Sequence, residues 1–462
     1  MQRFIVIGIT DDPEPFFPPE VMDIIKQGKV FSGGKRHHEI VAPLLPADAQ
    51  WIDITVPIDA VFEQYNVQFS ARPKDACYQR DARMFNFQHV IIFASGDPLF
   101  FGFANTIKRK MPEAEIVLYP AFNSLQMLAH RLVMPYHDMR IVSLTGRPWH
   151  EFDRALIEVA SKIGILTDKE HTPAAIAQRM LDYGYTNYKI SVGEHLGNPL
   201  LEKVTTLTLE EAAQRDFSMP NCLILNTNGH ELNMNFSQIN INDHSCPING
   251  NSCLINDNSC LINDNSCSIN GNSCLNHFFG IPDDQFVLLD GREKMITKMP
   301  IRLLTLQALD LPSRHVFWDI GFCTGSVSIE ARLQFPHLTI CAFEIRPECE
   351  AIINENTRRF GAPGIDIHIG DFLETDISSL PRPDAVFIGG HGGRLKEIIA
   401  KVLTLLADDG VIVFNSVTSP KVPIDSRRLW NEACQELGLR QEPPLHIQLN
   451  DYNPIEILKI QK

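Results

Sequence analysis

The stretch Trp318–Glu330, WDIGFCTGSVSIE, decides how the rest of the chain is interpreted. The mainly apolar run 315–320 predicts a buried parallel strand. A tight turn from Gly321 to Gly325 follows it, and an amphipathic helix begins directly after the turn. Strand, glycine turn and helix form the first unit of a nucleotide-cofactor fold, in which the ligand lies at the carboxyl end of the strand. Glycines allow close approach of backbone, and the first N–H groups of the helix can bind an anion.

The glycine spacing indicates which cofactor this turn binds. The dinucleotide fingerprint is G-x-G-x-x-G, but Cys323 stands in place of the middle glycine, so the turn reads G-x-x-x-G. That pattern favours S-adenosylmethionine, which has a small carboxylate and no pyrophosphate. The next strand, 338–343, ends at Glu344, about 20 residues past the turn, where an acidic group can bind ribose hydroxyls. A further strand ends at Asp371, placed to meet the adenine. The alternative is an ordinary βαβ crossover with a solvated Glu344.

Composition limits the class of protein. The chain has 462 residues, of which 44% are hydrophobic and 21% charged, as in soluble globular proteins with two or three domains. A formal net charge of −15 disfavours a nucleic-acid partner, which requires a basic face. No apolar run approaches the ~18 residues needed to cross a bilayer, and MQRFIVIGITDD predicts a first strand rather than a signal peptide. We therefore expect a cytoplasmic protein with no membrane partner.

Residues 229–277 differ from the rest. Five units, HSCPING, NSCLIND, NSCLIND, NSCSING and NSCLN, recur every seven residues and hold five of the 11 cysteines. Their Asn, Asp, Gly and Ser disfavour a coiled coil, and a soft-metal site would lack histidine partners at ligand spacing. We predict a flexible, low-complexity linker. The remaining cysteines form no C-x-x-C pair, so neither a disulfide framework nor a metal site is predicted.

Residues 1–228 alternate apolar strands with amphipathic helices, which predicts an α/β domain or two small lobes. One informative turn follows a strand directly and consists of Ser95, Gly96, Asp97 and Pro98. Further polar or glycine-bearing turns follow other strands, at 32–38, 120–124, 143–147 and 166–168. Turns that share one edge would frame a cleft.

The first half resembles the tetrapyrrole methylase family, and within it the precorrin C5-methyltransferases. The motifs that carry the resemblance occur in family order: GGKRHHEIV, ASGDPLFFG, YPAFNSLQ, VSLTGR, LTDKEHTPAAIA and GEHLGNPL. The resemblance implies a two-lobed fold that binds S-adenosylmethionine in its cleft. Carried over, the cofactor site would include Ser95, Gly96, Asp97 and Pro98, with Ser124 nearby. The family's first strand often ends in G-x-G-P-G, whereas Gly8 here is followed by Ile9, Thr10 and Asp11, so no role is assigned to this loop.

Residues 278–462 form the second predicted globular region. Pro300 fits the first turn of a helix predicted at 303–309. The strand 385–388 leads into the glycine-rich turn Gly389–Gly393, which either approaches a bulky ligand or only needs positive φ. Strands at 411–415 and near His446 and Ile457 complete the predicted sheet.

This second half resembles the C15-methyltransferase and decarboxylase family, which implies a Rossmann-like class I methyltransferase fold. The motifs are MITKMPIR, WDIGFCTGSVSIEA, AFEIR, PDAVFIGGHGG and VFNSVT. The residues expected to bind the cofactor are Thr297, Asp319, Gly321, Cys323, Thr324, Gly325, Glu344 and Asp371. Cys323 is interpreted as a small residue beneath the cofactor rather than as a nucleophile, because no His–Asp pair lies beside it in sequence.

The whole chain resembles the fused precorrin-6Y C5,15-methyltransferase (decarboxylating) family of cobalamin biosynthesis. The resemblance implies two methyl transfers to a reduced tetrapyrrole and loss of an acetate carboxyl group as carbon dioxide. Because the macrocycle is itself an electron sink, no metal is required. Since the substrate carries several carboxylates, we expect a basic rim, although each of its cations could equally be a solvated surface group. The expected substrate-contacting residues are Lys35, Arg36, His37 and Arg147 in one half, and Lys298, Arg302, Gly390, His391 and Arg394 in the other. A homo-oligomer is also expected, and catalytic residues are not assigned.

Other functions remain open at this point. An RNA or protein methyltransferase could use a similar fold, although the acidic balance disfavours RNA. An NAD-dependent dehydrogenase is disfavoured by the missing middle glycine, and a non-catalytic tetrapyrrole carrier would not bind S-adenosylmethionine. The sequence does not indicate whether the substrate carries cobalt.

Overall fold

The computed structural model describes residues 2–70, 89–227, 279–292, 295–417, 426–449 and 454–462. These residues fold into two compact units. The first comprises Met1–Arg147, Ser161–Gln178 and Tyr188–Asn226, and the second comprises Pro148–Ala160, Arg179–Asn187 and Thr227–Lys462. The seven-residue repeat lies outside the described residues, and the domain boundaries at 228 and 278 stay predictions. Within the described ranges, no helix combines the length and apolar character needed to span a membrane.

The chain begins with a parallel sheet covered on both faces. Its elements are β1 Arg3–Ile9, α1 Pro19–Gln27, β2 Val30–Gly33, α2 Lys35–Val41, β3 Gln50–Asp53, α3 Ile58–Ser70, β4 His89–Ser95, α4 Phe103–Lys110, β5 Glu115–Tyr119 and α5 Ser124–Arg131. The strands are parallel in the order β3-β2-β4-β1-β5. Strand β1 is buried from Phe4 to Ile9 because its alternate side chains enter different apolar clusters, which is typical of parallel sheets with helices on both faces.

A second five-stranded sheet follows, in the order β6-β7-β10-β8-β9. The elements are β6 Arg140–Ser143, α6 His150–Ile157, β7 Lys162–Leu166, α7 Pro173–Asp182, β8 Tyr188–Glu194, β9 Lys203–Leu207, α8 Leu209–Ala213 and β10 Asn221–Thr227. Strands β6 and β7 are parallel, whereas β10 pairs antiparallel with β7 and β9 antiparallel with β8. The last strand of this region therefore lies at the centre of its sheet.

The C-terminal region forms a seven-stranded sheet in the order β13-β12-β11-β14-β15-β17-β16. The elements are α9 Met299–Ala308, β11 Val316–Ile320, α10 Ser326–Gln334, β12 Thr339–Glu344, α11 Glu348–Arg359, β13 Ile365–Ile369, β14 Ala385–Ile388, α12 Leu395–Leu403, β15 Val411–Val417, α13 Ser426–Glu436, β16 Leu445–Ile447 and β17 Ile455–Gln461. Strands β11 to β15 are parallel, and β17 is antiparallel to both of its neighbours. The order reverses between β11 and β14, and such a switch point is where doubly wound sheets bind ligands.

The predicted fold classes are confirmed. The first half has two sheets, as a two-lobed fold requires, and the second half has the doubly wound sheet of a class I methyltransferase. The helix predicted at 303–309 begins earlier, at Met299, because Pro300 already occupies its first turn. The closing strands predicted near His446 and Ile457 are β16 and β17.

Candidate active sites

The glycine turn after β11 is tightly built against its neighbours. Gly321 has φ +82°, and a Cβ there would lie 2.5 Å from the backbone nitrogen of Gly390. Gly325 has φ +74° and precedes α10, and a Cβ there would lie 2.5 Å from Ile353 Cγ1. A side chain at Gly321 would force the backbone of Gly390 away, and one at Gly325 would displace the Ile353 side chain; the positive φ at both positions also favours glycine.

Two side chains of this region have buried polar atoms without a partner. Asp319, on β11, is fully buried, and its Oδ2 accepts a hydrogen bond from Ser328 Oγ at 2.5 Å. The other carboxylate oxygen of Asp319 and the hydroxyl of Thr324 have no partner among the described residues. Burial raises the pKa of Asp319 to about 7, against the opposing effect of the Ser328 hydrogen bond. Unsatisfied buried polar atoms are rare in folded proteins and are often explained by a ligand.

Glu344 is the last residue of β12, and its carboxylate is hydrogen-bonded to the glycine turn after β11. Its buried carboxylate accepts hydrogen bonds from Cys323 N at 3.0 Å and from Arg346 N at 3.1 Å. Cys323 has φ +51°, an uncommon value for a residue with a Cβ, and burial raises the pKa of its thiol. The raised pKa opposes thiolate formation, which agrees with a packing role rather than a nucleophilic one.

The turns after β13 and β14 contribute the remaining predicted residues. Asp371 accepts from Leu373 N at 3.0 Å and from Arg394 at 2.7 Å, and this Arg394 hydrogen bond is the main cause of its lowered pKa. Gly390 lies against Gly321, as described above, and burial lowers the pKa of His391. Nδ1 of His391 accepts from Gly393 N at 3.0 Å. The structure thus brings Asp319, the glycine turn, Glu344, Asp371 and Gly390 to the carboxyl edge of four adjacent strands.

Arg302 requires a correction. The sequence led us to expect it on a basic rim, but the side chain is completely buried and pairs with the equally buried Glu330, Nε to Oε2, at 3.1 Å. It also donates to the carbonyl of Thr297 at 3.0 Å, to Asp283 at 3.3 Å and to the carbonyl of Ile281. Its planar guanidinium is therefore used inside the fold and cannot reach a substrate. Lys298 is partly buried, and its Nζ lies 3.7 Å from Asp283.

The first unit contains a cavity of about 460 Å³. The strand-ending turns predicted to frame a cleft contribute to its lining: Gly34, Arg36, His37, Ser95, Gly96, Phe122, Asn123, Ser124, Ser143, Thr145, Arg147 and Leu166. Of the predicted residues, Lys35, Asp97 and Pro98 are not part of the lining. Asp97 instead stabilises its own turn by accepting from Leu99 N at 2.8 Å.

Ser95 is hydrogen-bonded to two polar side chains of this cavity. Its hydroxyl oxygen lies 2.9 Å from Arg36 Nη2 and 2.9 Å from His37 Nε2. Burial, followed by the neighbouring Arg36, lowers the pKa of His37 to about 4, so its imidazole is neutral at neutral pH. Nδ1 of His37 accepts from Gly34 N at 3.2 Å, which favours the tautomer with its proton on Nε2, and the ring also bonds to the backbone of Phe93. Because Arg36 donates to the Ser95 oxygen, the Ser95 hydroxyl can direct its own hydrogen to a ligand.

Arg147 and Gly96 also lie where the sequence analysis expects them. Arg147 donates to Ser143 Oγ at 2.5 Å and lies 5.0 Å above the ring of Phe101. Gly96 has φ +60°, and a Cβ there would come within 2.8 Å of Asn123 Cα.

The sequence analysis missed Asp11 and His195. Asp11 lines the cavity and is 9% exposed. It accepts from Arg36 at 2.5 Å and lies 2.9 Å from His195 Nδ1. Asp11 follows β1 directly, at the same strand edge as the other turns, so its position could have indicated a place in the site. It was given no role because the loop departs from the G-x-G-P-G pattern of the family.

Known proteins match both halves of the chain. Residues 4–213 match the family of tetrapyrrole (corrin/porphyrin) methylases, and residues 290–438 match the precorrin methyltransferase domain. A precorrin-6Y C(5,15)-methyltransferase (decarboxylating) from Sinorhizobium sp is 29% identical over 90% of this chain and 84% of its own length. A cobalt-precorrin-6B C(15)-methyltransferase (decarboxylating) from Salmonella typhimurium is 37% identical over 38% of this chain and 94% of its own.

The crystal structure of a precorrin-6Y C5,15-methyltransferase from Geobacter metallireducens is 35% identical, covers 40% of this chain and 97% of its own, and gives a TM-score of 0.35. With both domain families matched in order along one chain, and with a relative similar across nine-tenths of it, the chain belongs to the precorrin-6Y C5,15-methyltransferase (decarboxylating) family.

Proposed function

We propose that this chain methylates C5 and C15 of a precorrin-6 macrocycle and decarboxylates one of its acetate side chains, to give a precorrin-8. The first unit would methylate C5, and the second would methylate C15 and decarboxylate. One observation carries the proposal: a single chain holds two glycine-bearing sites of different architecture, in the order of the two matched domain families.

S-adenosylmethionine supplies the activated methyl group in both reactions. In the second site the residues present fit this molecule, because Asp319 and Thr324 have unsatisfied buried oxygens beside the glycine turn. Asp319 would accept from the amino group, Glu344 and Asp371 would meet the ribose and adenine, and the turn Cys323–Gly325 would lie beneath the molecule. In the first site, Ser95 would donate to it, and Gly96 would allow its close approach.

The chemistry on the macrocycle makes limited demands on side chains. The enamine-like meso carbon would take the methyl group as the bond between that methyl and the sulfonium sulfur breaks, S-adenosylhomocysteine would leave, and the meso carbon would then lose its proton. In the decarboxylation, the bond to the carboxyl carbon breaks, its electron pair enters the conjugated ring, carbon dioxide leaves, and the remaining carbon takes up a proton. The protein therefore acts chiefly by holding the reacting carbon in line at near-attack distance and by excluding water.

The substrate's carboxylates require donors near each site. Arg147 would supply them in the first unit, whereas Arg36 is already paired with Asp11 and His37 is neutral. In the second unit, Arg394, Lys298 and the turn Gly390–His391 are the corresponding candidates. Arg302 takes no part, because it is buried. The homo-oligomer and the cytoplasmic location stay predictions.

The test is a product analysis with the full chain. The protein is incubated with methyl-labelled S-adenosylmethionine and precorrin-6B, metal-free or loaded with cobalt, and the products are weighed by mass spectrometry. We expect two labelled methyl groups and the loss of one carboxyl group. Transfer of label to RNA or protein, with none to the macrocycle, would overturn the proposal.

A further inference from the structure

Two neighbouring strands of the C-terminal sheet bring three metal-ligating residue types together. Asp366 and His368 are two residues apart on the edge strand β13, so their side chains point to the same face. Cys341 lies on β12, and its Cα is the register partner of Asp366. One ligand atom from each of these three residues lies within 4.8 Å of the others.

We propose that Cys341, Asp366 and His368 form a zinc site that is separate from both methyl-transfer sites. The ligands would be the Cys341 sulfur, one Asp366 oxygen and one His368 nitrogen, with water in the fourth position. The sequence led us to expect no metal, because the D-x-H pair and the cysteine are 25 or more positions apart and meet only through strand pairing.

The distances and the donor types both fit zinc. Zinc binds sulfur at about 2.3 Å and nitrogen or oxygen at about 2.0–2.2 Å in a tetrahedron, which separates the donor atoms by roughly 3.3–3.8 Å. The ligand atoms of the present cluster lie within 4.8 Å of one another, close to this spacing. A mixture of thiolate, imidazole and carboxylate is typical of zinc and is poorly suited to Mg²⁺ or Ca²⁺, which prefer oxygen ligands.

His368 is already oriented by its neighbours. Its ring stacks on that of Phe343, with centroids 5.0 Å apart and planes 18° from parallel. Its Nε2 lies 3.0 Å from Asp366 Oδ2. The site would therefore require little ordering of the histidine on binding, which reduces the entropic cost.

Trp318 provides independent support. It is the register partner of Cys341 on the other side, so Trp318, Cys341 and Asp366 form one row across three strands. The buried indole Nε1 makes no hydrogen bond of acceptable geometry among the described residues. Trp318 nevertheless acts on Cys341 as a donor that favours the thiolate form of its side chain. A thiolate bound to zinc would accept this N–H, and such donors around a ligand typically contribute 10- to 100-fold to metal affinity.

The expected consequence is structural. A metal bridge between β12 and β13 would fasten the edge strand that leads into Gly370 and Asp371. Binding to the folded state alone raises stability by mass action, without any role in methyl transfer.

The experiment uses the full chain with the cysteines of the repeat replaced, because these thiols could bind metal themselves. The parent for all comparisons carries Cys246→Ser, Cys253→Ser, Cys260→Ser, Cys267→Ser and Cys274→Ser. Cobalt(II) is titrated as a spectroscopic probe, and zinc affinity is measured by competition with a chelating dye. The variants are Asp366→Asn, His368→Gln and Trp318→Phe, and the matched control is His446→Gln, whose side chain is 70% exposed on β16.

We expect the parent to bind one cobalt ion with a near-ultraviolet thiolate charge-transfer band. Asp366→Asn and His368→Gln should each weaken zinc binding by at least about 100-fold, Trp318→Phe by about 10-fold, and His446→Gln should have no effect. Circular dichroism of the metal-free proteins should show that each ligand variant folds as the parent does. A parent without the band, or folded ligand variants that bind zinc as tightly as the parent, would overturn the proposal.

Discussion

The two candidate methyl-transfer sites are built from different chemical groups, side chains in one and backbone in the other. In the first unit, apolar side chains and a cluster of polar ones line a cavity of about 460 Å³, and the Ser95 hydroxyl links Arg36 and His37 by hydrogen bonds. In the second unit, the site consists of glycine backbone held by buried carboxylates, with Gly321 against Gly390. In a site made of side-chain hydrogen bonds, removing one polar group should lower the methylation activity only partly. In a site made of close backbone contacts, adding a single Cβ carbon should remove most of the activity.

The largest expected effect separates two of the arginines that the sequence placed on basic rims. Arg302→Met should lower the free energy of unfolding by about 3–5 kcal/mol, because it leaves the buried Glu330 carboxylate without its cation. Arg147→Met, at an exposed position, should leave unfolding unchanged and raise KM for C5 methylation. Urea unfolding and product-resolved kinetics measure the two effects. A stable Arg302→Met protein with weakened substrate binding would restore the rim interpretation.

The next effect tests the backbone character of the second site. Gly321→Ala should reduce C15 methylation by about 100-fold and spare C5 methylation, because the new Cβ would lie 2.5 Å from Gly390 N and displace the turn. Gly438→Ala is the matched control, since Gly438 also has positive φ, +67°, but has open space around its Cβ position. Equal loss of both methylations in Gly321→Ala would contradict independent sites.

A smaller effect tests the side-chain character of the first site. Ser95→Ala should lower kcat/KM for C5 methylation by about 10-fold, close to 1.4 kcal/mol, because one donor to the ligand is lost. C15 methylation should not change. Ser191→Ala removes a hydroxyl that bonds to Thr206 at 2.8 Å in the same unit and serves as the control. Full C5 activity in Ser95→Ala would remove Ser95 from the proposed site.

The last effect concerns pH and stability. Because the pKa of His37 is lowered from 6.5 to about 4, the unfolded state binds a proton between these values that the folded state does not. His37 therefore costs no stability above pH ~6.5, and the cost grows as pH falls towards ~4. His37→Asn should lose less stability than the parent over this window in urea unfolding at several pH values. His446→Asn should keep the slope of the parent, and an identical slope in His37→Asn would contradict a buried neutral imidazole.

Much of the fold could be predicted because its signals are local. The run before Gly321 is buried on both faces as β11, and the acidic strand ends at Glu344 and Asp371 lie where the crossover rule places them. The strand-ending turns of the first half line the cavity because parallel strands share one carboxyl edge.

The failures concern pairs of residues distant in sequence. Arg302 looked like a surface cation because its partner, Glu330, lies on another helix, 28 residues later. Asp11 received no role because its partners Arg36 and His195 are 25 and 184 residues away. Cys341 and Asp366 likewise meet only through the register of β12 and β13. Such contacts depend on tertiary packing, which periodicity and spacing do not encode.

The position of the final strand in two of the sheets has a consequence for biosynthesis. Strand β10 lies between β7 and β8, and β17 lies between β15 and β16, so each strand fills a gap flanked by segments made earlier. On the ribosome, where domains fold in order from the N-terminus, neither sheet can close until its last residues have emerged from the exit tunnel. Until then, β15 and β16 expose unpaired backbone edges, so nascent chains arrested before residue 455 should depend on chaperones and be prone to aggregate.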